Sequence, residues 1–155
     1  MSKRNFTDRR RGVSSVEFAL VMPLLFVLTM GLIEFGSLFY SWLTIQKAAQ
    51  SGARFASTGQ GEEEGTRVSQ IISVTENGLA VLSGEKEVTV TSWPSTNANG
   101  SGSEGSAGGP CQLVEVAVVY AYHPFTPFLS GVFPEVIELT GQDRKLNEPW
   151  KPCGD

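Results

Sequence analysis

From Phe18 to Ile33 the chain carries no charge, and between Glu17 and Lys47 the single charged residue is Glu34. A stretch this long and apolar predicts a helix that crosses a membrane, because a helix satisfies its own backbone polar groups in hydrocarbon. Directly before it stand Arg9, Arg10 and Arg11. By the positive-inside rule these hold the N-terminus in the cytoplasm and send everything after about Tyr40 across the bilayer. The run is too long for a secretory signal core of about 7–15 residues, and no small-x-small cleavage site closes it. An ordinary anchor leaves Glu17 unexplained. An ionised carboxylate costs roughly 2.5–3.5 kcal/mol at the bilayer centre, less near the interface, and such residues usually have a partner.

The order of these features is informative. A basic leader ends in Gly12, and five residues later Glu17 stands in an apolar helix. This resembles the processing site of type IV pilin-like proteins, which implies cleavage between Gly12 and Val13 by a prepilin peptidase. The cut would create an α-amino group on Val13, about one helical turn from Glu17. In that family the glutamate pairs with the amine of a neighbouring subunit. Three further stretches sharpen the resemblance: Val16 to Leu25, Gly31 to Gly36, and Lys47 to Ala56. Together they look like the TadE-like family of tight-adherence (Tad) secretion systems. Asn147-Glu148-Pro149-Trp150 resembles the short acidic-proline-tryptophan ending of some relatives. The partners the family implies are the peptidase, other pilin-like subunits and Tad-type inner-membrane assembly proteins, besides the lipid bilayer itself. A head this large fits a minor or accessory subunit better than a main filament subunit. The competing reading is an unprocessed single-pass protein whose extracytoplasmic head binds a ligand.

Charge divides the chain at the same place. Of a formal net charge of −4 over 155 residues, residues 1–12 contribute +4, so the rest carries −8. An acidic mature chain argues against nucleic-acid binding, and the basic cluster reads as a topology signal. The division gives a leader at 1–12, a membrane-spanning and extended helix at 13–58, and a head at 59–155.

Within the helix, Pro23 removes a backbone donor and predicts a bend near Ala19 to Pro23. Gly31, Gly36, Ser37 and Ser41 are small enough to admit a neighbouring helix. Glu34 lies about 25 Å beyond Glu17 along the axis, towards the outer interface, where solvation or lateral pairing is expected. Tyr40 and Trp42 follow at the level of an aromatic belt. Ile45, Ala48, Ala49, Gly52, Phe55 and Ala56 keep helical spacing, a narrow stripe suited either to the head's own sheet or to neighbouring helices. Gly59-Gln60-Gly61 ends the helix.

Val68, Ile71, Ile72, Leu79 and Leu82 predict a second helix, weakened late by Asn77-Gly78, with Glu62 to Glu64 favourable near its start. Glu87 to Trp93 alternates as a strand. The Gly/Ser/Asn-rich residues 95–109 read as a flexible exposed loop. Gln112 to Tyr122 is the strongest strand, with Val114, Val116, Val118, Tyr120 and Tyr122 on one face. An apolar connector with Phe125, Phe128, Leu129 and Phe133 lies between Pro124 and Pro134, and Val136 to Thr140 offers a third strand. The expected class is α+β: a long N-terminal helix, then a small pilin-like head of one helix and about three antiparallel strands.

Cys111 and Cys153 are the two cysteines. In an extracytoplasmic head an oxidised pair is favoured, with two free thiols as the alternative. His123 is the single histidine and precedes a proline at a strand end, so neither a zinc pattern nor a serine/histidine/acid set is legible. No cofactor is expected. The chain reads as a substrate of an enzyme and not as one.

Overall fold

The computed structural model describes residues 7–94, 96–125 and 134–153. It is α+β, with helices α1 (Thr7–Ser57) and α2 (Arg67–Gly78) and strands β1 (Lys86–Trp93), β2 (Ser103–Glu104), β3 (Leu113–Tyr122) and β4 (Ile137–Leu146). The strands form one antiparallel sheet in the order β2-β1-β3-β4. β3 is central because its alternation is the cleanest: Val114, Val116, Val118, Tyr120 and Tyr122 are all buried and the residues between them only partly so.

That buried face meets the second half of α1 and α2. Ile45, Ala48 and Ala49 pack with Leu79, Leu82, Val118 and Leu139, while Ala53 and Ala56 pack with Ile71, Val90, Val114 and Val116. The small-residue stripe of α1 therefore faces the head's own sheet and α2, which settles the choice left open by the sequence. Small side chains let the elements approach closely. A Cβ added at Gly52 would collide with the Thr75 hydroxyl of α2. At Gly59, where φ is +73°, the Trp150 indole occupies the space a side chain would need.

α1 remains helical through Pro23. α2 ends at Gly78, and Leu79 and Leu82 are buried in the turns beyond it. No acidic residue lies in its first turn; Glu62 instead pairs with Arg67 at 3.0 Å. β4 continues six residues past Thr140. Its far half is charged on an edge strand, where Arg144 reaches Glu115 across the ladder and lies over the Trp93 ring. The expected connector strand-end residues Phe128, Leu129 and Phe133 lie outside the described residues.

The end of the glycine-rich segment, from Ser103 to Gly109, is fastened to the head although much of the segment is exposed, as expected. Ser103 and Glu104 pair with β1, Ala107 is buried, and the Asn147 side-chain amide donates to the carbonyls of Ala107 and Gly109, both at 2.8 Å. A glycine-rich segment with few side chains to bury is here fastened largely through its backbone. Cys111 and Cys153 are joined, with Cα atoms 5.7 Å apart.

The turn between the helices is closed by Arg67, which is 3% exposed. Its guanidinium donates to Ala56 O at 2.7 Å and to Gly108 O at 2.5 Å, and stacks over Trp150 with 4.5 Å to the ring centroid. Arg67→Ala is expected to destabilise the head by about 3 kcal/mol, because a buried and a half-buried carbonyl lose a charged donor. Arg67→Lys should recover only part, since an ammonium cannot reproduce the fork. Urea unfolding of the full chain in detergent tests this; an unchanged midpoint for the alanine variant would reject it.

Candidate functional site

The site begins with what α1 leaves uncovered. Every described side chain from Gly12 to Phe26 is exposed, as are Leu28, Leu32 and Ile33. Among the described residues this is one helix long and apolar enough to cross a membrane. An apolar surface on all sides of a helix has no stable home in water, so lipid or other helices must cover it. Gly12, Val13 and Glu17 lie on this segment, all exposed. Val13 and Glu17 are four residues apart in continuous helix and share a face. A Cβ at Gly12 would meet nothing within 4 Å, so packing within the chain does not require a glycine there. Arg9, Arg10 and Arg11 belong to the first turns of α1.

Glu34 marks the boundary between the bare and covered halves. It is 5% exposed, and Tyr122 at the end of β3 donates its hydroxyl to Glu34 Oε1 at 2.6 Å. Lateral pairing, one of the two fates expected of Glu34, is thus realised within the chain, by a partner 88 residues away. The alternation of β3 puts Tyr122 on one face with Val114, Val116, Val118 and Tyr120 but gives no sign of its partner. Asn147 and Arg67 were missed as well. Asn147 could have been suspected from the family-like ending in which it stands, whereas Arg67 carries no sequence signal.

Burial, reinforced by the hydrogen bond to the Glu34 carboxyl, pushes the Tyr122 phenol above its ordinary value of 10.0. The fold therefore favours the neutral phenol. The stability it contributes is fully present below about pH 10 and is lost as pH rises through the raised value. Ultraviolet titration of the wild type against Tyr122→Phe is expected to show one phenol ionising above the free-tyrosine range. A difference spectrum centred at or below that range would mean the pair is open.

The rest of the surface offers little chemistry. His123 is exposed just after β3, and among the described residues no group of three His, Cys, Asp or Glu side chains is arranged to hold a metal. The strap Asn147–Trp150 closes over the helix turn, with Glu148 N donating to Ser57 O at 2.9 Å.

Residues 12–54 match the family model described as TadE-like protein. The match covers the bare half of α1, the Glu34 boundary and most of the covered half, and none of the sheet. No curated protein and no solved structure matches the chain significantly.

Proposed function

We propose that this chain is a pilin-related subunit of a Tad-type pilus or secretion apparatus, a membrane-anchored minor component built for assembly and not for catalysis. Its N-terminus lies in the cytoplasm and its head on the opposite side. A prepilin peptidase cuts between Gly12 and Val13, removing Arg9, Arg10 and Arg11 and leaving the apolar helix attached. Glu17 then pairs with the new Val13 amine of a neighbouring subunit, and Tad-type inner-membrane proteins receive the assembled helices.

The observation that carries this reading is the bare apolar helix within the segment matched by the TadE-like family. Two others support it. The glycine at position 12 has no packing role in the folded chain, so recognition by another protein is the more economical reason for it. The Cys111–Cys153 bond suits an oxidising compartment, which is where the basic leader would direct the head.

The experiment is the mass and N-terminal sequence of the protein recovered from membranes of cells with and without the matching peptidase. A peptidase-dependent terminus at Val13 with the helix retained is the expected result. An uncut terminus despite an active peptidase would overturn processing and leave the anchored binding protein as the better reading.

A further inference from the structure

We propose that the head does not stand clear of the membrane: the rim of its sheet beside Tyr122 is embedded in the head-side leaflet, and a lipid acyl chain fills the groove between that rim and α1. The inference rests on the reading of α1 as a membrane span. Length is the first argument. The uncharged run Phe18 to Ile33 is 16 residues, about 24 Å at 1.5 Å per residue, short of the roughly 30 Å of hydrocarbon to be crossed. The deficit has to be made up at one end. At the N-terminal end stand Glu17 and, before it, the arginines. At the other end Glu34 is turned into the head, and the next side chains exposed after it, before Lys47, are Phe35, Phe39, Tyr40, Trp42 and Leu43. The apolar outer surface therefore continues past Glu34, on to the aromatic residues suited to an interface.

Shared depth is the second argument. A groove of about 470 Å³ separates α1 from the end of the sheet, with Val27, Gly31 and Leu38 on the helix side and Pro124 and Ile137 on the other. The sheet end thus reaches down alongside helix residues that belong to the span. If Val27 and Gly31 are in lipid, the rim facing them is in lipid too.

The chemistry of the rim agrees. The two polar side chains of the groove, Glu34 and Tyr122, are bonded to each other, so the remaining lining is hydrocarbon. Next in sequence to Pro124 and Ile137, Phe125 is 56% and Val136 41% exposed, apolar surface that lipid would cover. His123, Glu135 and Glu138 are exposed next to this rim and mark where it leaves the lipid for the headgroups. The Glu34–Tyr122 bond gains a purpose: it hides a carboxyl that the helix would otherwise present to lipid.

The test is collision accessibility of a nitroxide on single cysteines introduced at Phe125, Val136, Leu25 and Val81, in the full disulfide-bonded chain in phosphatidylcholine/phosphatidylglycerol nanodiscs. Leu25 reports the span and Val81, exposed on the head, reports water. The expected result is a several-fold higher ratio of oxygen to nickel-chelate collisions at Phe125 and Val136 than at Val81, approaching that at Leu25. Water-like values at Phe125 and Val136 with a lipid-like Leu25 would overturn the proposal and leave the span intact. Shielding of both sites from both reagents would also overturn it, with a second copy of the chain as the occupant. A water-like Leu25 would remove the membrane span itself, and the proposal with it.

Discussion

Replacing Cys111 and Cys153 together by serine is expected to lower the unfolding free energy of the head by about 4 kcal/mol, the chain-entropy value for closing a loop of this length. The bond joins residues 42 apart and encloses both β3 and β4. Its effect belongs mainly to the unfolded chain, because the folded strap has other fastenings. Cys111 N donates to Asn147 O at 3.2 Å, Asn147 N donates to Gln112 O at 2.9 Å, and Trp150 is stacked on Arg67. These should keep the strap in place in the serine variant under native conditions. Denaturant unfolding of the full chain in detergent, followed through Trp93 and Trp150, would then show a lower midpoint together with a steeper denaturant dependence, since an unlinked chain exposes more surface when it unfolds. A loss below about 1 kcal/mol would mean that the oxidised unfolded chain is no more restricted than the reduced one, and the role assigned to the bond would fall.

Elements whose pattern is complete within one stretch were legible in the sequence; contacts between distant stretches were not. β3 announces itself because its alternation spans the whole strand, and α1 because charge is excluded from Phe18 to Ile33. The far half of β4 was hidden because Gln142, Arg144 and Lys145 look like a solvated tail, and only the register with β3 shows Gln142 and Arg144 to be the outward side of an edge strand. The fastening of Ala107 and Gly109 was hidden for a related reason. Their carbonyls are held by the Asn147 amide, some forty residues on, and composition cannot report an acceptor's distant donor. Glu34 was recognised as anomalous, but its partner lies on another element. Gly12 and Glu17 are the opposite case: the fold gives them no structural task, and their meaning came from the resemblance of their spacing to a processing site.

Glu17→Leu is expected to leave insertion unharmed and to abolish assembly. On insertion alone the substitution is favourable, because leucine replaces a carboxylate at the end of the apolar run, at a gain smaller than the roughly 2.5–3.5 kcal/mol of the bilayer centre. A plain anchor should therefore accumulate in the membrane as well as before, or better. In the proposed subunit the same carboxylate answers the Val13 amine of a neighbour, and a side chain one helical turn from that amine fixes an axial offset of about 6 Å plus its own reach. Without it the neighbour's ammonium is left unpaired in an apolar layer, and helices whose exposed surface is apolar on every side keep no preferred register. Glu17→Gln separates the two contributions: it retains a hydrogen-bond acceptor at the same distance but not the charge, and should assemble poorly while still being cut at Gly12. The measurement is the yield of cross-linked or sheared pilus material relative to membrane-inserted, processed protein for the wild type, Glu17→Leu and Glu17→Gln. Normal assembly of the leucine variant would show that register is set by packing along the helix, and Glu17 would lose its role.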